Sequence, residues 1–211
     1  MADREFIASS VGDERLIQGM IQFIAYQSLL PGECDATAGN QHGVTYYLPP
    51  LAMSRFAPNI PETRAIQQTL ARGGAKTSLA TDLQFTYAVT AAISVPAMAS
   101  LEVAGWSLGR FRTQEHQQPA RRAATEALQV SCAYHREKFR PVLHRLMAAA
   151  GVKAIAYAPL VAPFPVEREL AFHFTKVRAQ TRLMIENYRN RGSAEGIATP
   201  ALDSLSQSLR F

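Results

Sequence analysis

Six arginines carry the clearest chemistry in this chain. Arg136 and Arg140 lie four residues apart, as do Arg178 and Arg182, so each pair shares one face of a helix. Arg121 and Arg122 extend the first row backward along the chain. A guanidinium is always charged and presents its N–H groups as a planar fork that matches phosphate or carboxylate. If the helices bearing these rows pack antiparallel through their apolar seams, the rows line a common groove that holds a phosphate backbone without reading bases. The expectation is a sequence-independent nucleic-acid surface at Arg121, Arg122, Arg136, Arg140, Arg178 and Arg182. The plainer alternative is that these bases sit on solvated helix faces beside Glu126, Glu137 and Glu186.

The charge distribution favours the first reading. Between Gln118 and Arg191 there are thirteen Lys or Arg residues against five acids, whereas residues 1–117 carry eight bases and ten acids. The whole excess of positive charge, +5 over the chain, is therefore generated in one stretch, which points to phosphates or an acidic partner.

Other candidate chemistry is weaker. Residues 72–78, Arg-Gly-Gly-Ala-Lys-Thr-Ser, resemble the end of a phosphate-binding loop but lack its first glycine and follow a helical segment, so a helix-ending glycine pair and a cap explain them. Cys132 and His135 are three apart, with His144 and His173 elsewhere in the basic stretch. A zinc site needs further ligands at recognisable spacing, and Cys34 with His42 does not supply it. Cys132 falls on an apolar seam, where a thiol is inert. Glu167 and Glu169 are explained as acids at a helix start. No Gly-x-Ser-x-Gly, Gly-x-Gly-x-x-Gly or His-Glu-x-x-His is present. No cofactor, no metal and no catalytic residue is expected.

The elements that position these residues read mainly as helices. Leu16, Ile17, Met20, Ile21 and Ile24 predict a first helix over 13–30. Residues 31–60 carry four prolines and read as an extended segment whose apolar side chains must cover something. A short helix over 62–72 follows, opened by Pro61 and closed by Gly73-Gly74. Residues 79–95 fit either period, with helix preferred for their alanines, and Pro96 starts or kinks a further helix. The seam Leu128, Cys132, His135, Phe139, Val142, Leu146 is interrupted by Pro141, which predicts a break near 137–140. A last long helix runs from Pro165 to Gly192 through Leu170, Phe174, Val177, Met184 and Tyr188. Leu202, Leu205 and Leu209 lie at i, i+3 and i+7 in the tail, so a short amphipathic turn there docks on its own fold or on a neighbour.

These readings combine into a mainly α protein: one helical domain over 1–192 with about five to seven helices, an extended segment at 31–60, a basic helical part at 118–191 and a flexible arm at 193–211. Two widely spaced cysteines suit a reducing compartment. The N-terminus lacks a signal-peptide pattern, and the apolar stretch 83–101 reads as core, so no membrane is expected. The leading expectation is a non-enzymatic assembly protein, such as a viral coat or nucleocapsid subunit in cytoplasm or virion, binding nucleic acid and self-associating through 31–60 and 193–211. Two alternatives stand beside it: a small helical enzyme or ligand-binding domain with a pocket between helices near Cys132, His135 and His173, and a helical adaptor for an acidic protein partner.

Overall fold

The computed structural model describes residues 2–28, 43–49 and 52–209, with side chains from residue 6 onward except at 26–28. The protein is mainly α, with nine α-helices and only short strands among the described residues. It forms two compact units, residues 1–87 and 88–211.

The first unit holds α1 (Ala2–Val11), β1 (Gln18–Met20), β2 (Ile24–Ser28), β3 (Gly43–Tyr47), β4 (Ser54–Ala57), α2 (Pro61–Arg72) and β5 (Thr77–Leu79). The helix expected over 13–30 is instead a 3-10 turn followed by β1 and β2. Pairing overrides periodicity there: β1 lies antiparallel to β4, with Gly19 opposite Phe56, and β2 lies antiparallel to β3 from Ile24↔Tyr47 to Ser28↔Gly43. Gly19 leaves the space that the Phe56 ring fills, since a Cβ there would come within 3.0 Å of it. Side chains stitch the pairing, with the Gln22 amide N–H donating to Ser54 Oγ and Leu83 N–H donating to Gln18 Oε1. Strands β4 and β5 are parallel and joined by α2, which makes a small strand–helix–strand unit. Its strand-to-helix turn is Pro58-Asn59-Ile60, with Pro61 at the first helical position and Glu62 in the first turn. Of the extended segment 31–60, residues 31–42 and 50–51 lie outside the described residues, and the remainder includes β3 and β4.

The second unit is built on α3 (Gln84–Val103) and α5 (Gln114–Tyr134), joined by the short α4 (Leu108–Phe111). Around them lie α6 (Pro141–Tyr157), α7 (Val166–Lys176), α8 (Arg178–Ala194) and α9 (Pro200–Ser208). Helix α3 is long and apolar enough to cross a membrane, yet Ala88, Ala92 and all of 96–101 are buried in the fold. It runs through Pro96, so the carbonyl four residues earlier lacks an intrahelical donor. Two buried clusters share α3 and α5. One joins Ala92, Ala99, Ala123, Ala124 and Ala127 to Ile185 of α8 and to Leu202, Leu205 and Leu209 at α9. The other joins Ala97, Leu101 and Ala120 to Phe111, Val152, Ala156 and Val166. The segment expected as a flexible arm is thus docked on its own core.

The predicted break before Pro141 is present. Helix α5 ends with Arg136 at φ 57°, where Arg136 N–H bonds Ala133 C=O and Glu137 N–H bonds Cys132 C=O. This is the left-handed closing turn that glycine usually occupies. The expected last long helix is two, α7 and α8, divided at Val177.

Small residues set the helix spacing. A methyl at Gly151 of α6 would lie 2.4 Å from Ile93 Cγ2 of α3, and a β-branched side chain in a helix has little freedom to yield. Gly151→Ala is expected to lose about 1 kcal/mol in urea unfolding, since overpacking of roughly 1–3 kcal/mol outweighs a helix-propensity gain of about 1 kcal/mol. In an Ile93→Ala background, the same substitution is expected to stabilise.

Candidate ligand groove in the helical unit

Helix α9 borders the site, and three interactions seat it. Its first amides are capped by a side chain from α5: Ala201 N–H donates to Glu126 Oε1 at 3.0 Å and Leu202 N–H to Oε2 at 2.9 Å. A carboxylate across two helix-start amides satisfies orphan donors and meets the positive end of the helix dipole. Arg189 of α8 pairs with Asp203, and the three leucines enter the core. Burial pushes the Glu126 carboxyl above its usual range, with Asp203 adding to the effect, while the two amides pull it back down.

With its leucine face buried, α9 presents Ala201, Ser204 and Ser208 to a groove against α3 and α5. The groove encloses about 350 Å³, at the small end of the range for organic ligands. Ser100 and Val103 of α3 form one wall, and Glu115, His116, Gln118, Pro119 and Arg122 from the first turns of α5 form the other. Ser100 is only 3% exposed, and its Oγ has no hydrogen-bond partner among the described residues. A buried hydroxyl left this way costs about 1–3 kcal/mol, so a ligand atom that bonds it recovers that energy. The Ser204 and Ser208 hydroxyls donate to Pro200 C=O and Ser204 C=O, which leaves their lone pairs to accept. One guanidinium, one carboxylate, one imidazole and three serine hydroxyls, that of Ser100 without a partner among the described residues, line the groove beside Val103 and Leu205.

The predicted arginines are dispersed. Arg122 lines the groove. Arg121, one residue earlier, is half-buried and bonded to Gln117 Oε1. Arg136 and Arg140 lie beyond the far end of α5, as its closing residue and as the N-cap of α6. Arg178 pairs with Glu102 of α3 at 2.5 Å. Arg182 lines two smaller cavities beside α9. Other bases of the stretch are also engaged internally: Arg189 by Asp203, Arg191 over the Tyr134 ring at 3.9 Å and Lys176 over Phe172 at 3.4 Å. The residues of the pocket alternative are dispersed too. Cys132 is buried with Sγ 3.9 Å from His144 Nε2, and burial together with Glu137 raises its thiol. His144 Nδ1 accepts from Arg140 N–H, so the histidine serves the start of α6. His173 packs edge-on against Phe174 of α7. Helix-bound pockets exist as that alternative anticipates, but this one is formed by Ser100, His116, Arg122 and Ser204 instead. Of these only Arg122 stood out in the sequence; Ser100 is a single hydroxyl within an alanine-rich run.

No family model matches the chain, and no curated protein matches it. Solved structures do. The chain resembles ketopantoate reductase from Staphylococcus aureus, described as dimeric, with 13% identity, TM-score 0.62, and coverage of 92% of this chain and 60% of that one. It resembles 2-dehydropantoate 2-reductase from Geobacter metallireducens at 14% identity and TM-score 0.63, covering 99% and 64%. D-mandelate dehydrogenase in complex with NADH matches at 10% identity and TM-score 0.63, covering 97% and 64%. The chain spans less than two thirds of the length of these structures. The shared fold overturns the coat, nucleocapsid and RNA-binding reading and its nucleic-acid partner. The physical reason is local: within the basic stretch Arg121, Lys176, Arg178, Arg189 and Arg191 are met by side chains of the same chain.

Removing the cap tests what seats α9. Glu126→Ala is expected to destabilise the protein by about 1–2 kcal/mol and to raise hydrogen exchange selectively over 199–209. Because burial raises the folded-state pKa, titration of Glu126 adds stability below the unfolded value near 4.5, and that contribution is lost as pH rises through the higher folded value. The stability of the wild type relative to Glu126→Gln is therefore expected to decline across that interval in unfolding curves taken at stepped pH.

Proposed function

We propose that this chain is the small-molecule-binding part of a reductase or dehydrogenase fold, and that the groove between α3, α5 and α9 takes a small 2-oxo or 2-hydroxy carboxylic acid. The carrying observation is the groove's lining: a buried Ser100 whose hydroxyl has no partner, and an arginine, Arg122, with no ion pair among the described residues, both residues bordering a volume of about 350 Å³. The fold likeness supports it, because ketopantoate and mandelate, after which the similar reductase and dehydrogenase are named, are carboxylic acids with an oxygen at the neighbouring carbon. Arg122 would take the carboxylate as a bidentate fork. Ser100 and His116 would bond the second oxygen, and Val103, Pro119 and Leu205 would meet the carbon skeleton.

Among the described residues, the strand-to-helix turn between β4 and α2 does not fit a nicotinamide dinucleotide, which one of these relatives holds. Such a cofactor needs a glycine-rich strand-to-helix turn that lets the backbone approach its pyrophosphate at a helix N-terminus. The β4–α2 turn has no glycine, loses one amide to Pro61 and places Glu62 where the phosphates would lie. Its Asn59 side chain already accepts a hydrogen bond from Arg64 Nε at 2.8 Å. Acid binding is therefore the function assigned to this chain, with no redox step derived from it.

Calorimetric titration with ketopantoate and with mandelate tests the proposal. Saturable binding of at least one acid is expected, weakened roughly tenfold or more by Arg122→Ala, as for loss of a charged hydrogen bond of about 1.5–3 kcal/mol. Ser100→Ala is expected to weaken it less. NADH is expected to give no heat. Acid binding indifferent to both substitutions, or no binding at all, would overturn the assignment.

A further inference from the structure

One arginine adjoining this groove is left without a partner. Arg178 and Arg182 are one turn apart on α8 and point to the same side, and Glu102 of α3 neutralises the first. Arg182 is half-buried, and its Nε is shielded from solvent with no acceptor among the described residues. Glu186, a turn further along, lines the cavity on the other side of Arg182 and forms no ion pair with it among the described residues. A guanidinium N–H buried without an acceptor is costly, so a site that keeps one is built for an acceptor that arrives from outside.

The space for that acceptor is present. A cavity of about 130 Å³ lies between Arg182, Arg178, Glu102 and Leu209, large enough for a carboxylate. Val103 and Ser208 wall both this cavity and the main groove, so the two volumes are neighbours across a shared pair of side chains. The local charge stays positive, since two guanidiniums face one acid. Arg122 stands on the α5 side of the groove and Arg182 on the α8 side.

We propose that the cavity at Arg182 is a second anion subsite, so that the groove selects ligands with two acidic groups over their singly charged analogues. This rests on the groove's being an acid site, with Arg122 holding the first carboxylate and Arg182 the second. The terminal nitrogens of the Arg182 guanidinium offer donors that a carboxylate accepts. Ser208 contributes a hydroxyl lone pair to the passage between them, and Val103 contacts the connecting methylenes.

The test is calorimetry on the full chain with chain-matched acids: 2-oxoglutarate against 2-oxopentanoate, and 2-oxoadipate against 2-oxohexanoate. In the wild type the diacid of at least one pair is expected to bind tenfold or more tightly. Arg182→Leu is expected to bring that ratio to about one while leaving monoacid affinity within twofold. Arg182→Gln, closer in shape, provides the same readout if the leucine variant fails to fold by circular dichroism. Equal affinity for mono- and diacids in the wild type, or a preference that survives loss of Arg182, would sink the second subsite and leave the first intact. No binding of any acid would remove the groove reading, and the subsite with it.

Discussion

The helical unit's binding surface depends on how α9 is held. Pro200 to Ser208 is a nine-residue helix, too short to persist alone in water, so its structure is borrowed from its contacts. Glu126 terminates it at one end through two charge-assisted hydrogen bonds, and three leucines anchor it along one face. These contacts fix which residues remain for the groove. Once Leu202, Leu205 and Leu209 turn inward, Ser204 and Ser208 must turn toward α3 and α5, since helical geometry places them on the adjacent strip. The ionised carboxylate is half-buried, and the amides it bonds offset the cost of that burial only in part. Seating α9 and desolvating Glu126 are therefore one event.

The same economy of space explains the alanines. Helices α3 and α5 contribute seven of the ten buried alanines in the two clusters taken together, and small side chains allow close helix approach. Close approach leaves little room for large polar groups, so the polar functions of the groove come from places where the packing opens: Ser100 near the end of α3, and the first turns of α5 around Pro119. Pro119 supplies no amide, and the helix begins at Gln114 without a side-chain cap. The groove thus coincides with helix ends and an interrupted hydrogen-bond ladder, where polar side chains have backbone neighbours and solvent both within reach.

Much of the fold was legible where covalent constraints act. Pro61 and Gly73 bracket α2 as expected, and Pro141 divides the 128–146 seam into α5 and α6. The leucines of the tail pack as their spacing indicated. Legibility ended where long-range pairing decides. Residues 16–24 have helical periodicity, yet β1 forms because β4 offers it a partner and Gly19 fits beneath Phe56. The division at Val177 carries neither proline nor glycine and has no local signal. The site was the least legible part. Ser100 looked like dilution of an apolar run, because burial without a partner is a property of three helices together and of no one segment.

The arginines illustrate why charge counts mislead about partners. A nucleic-acid surface needs many cations in a row facing solvent, each releasing counterions from a phosphate. Here the row is broken by geometry. Arg178 meets Glu102, Arg121 meets Gln117, and Arg191 lies on Tyr134. What remains near the groove is Arg122, which is exposed, and Arg182, which is half-buried. Partial burial strengthens a charge contact relative to water, and it applies to the second of the two. The basic stretch is real, but part of it is spent inside the fold, where Arg121, Lys176, Arg178, Arg189 and Arg191 meet side chains of the same chain, while Arg122 and Arg182 line cavities.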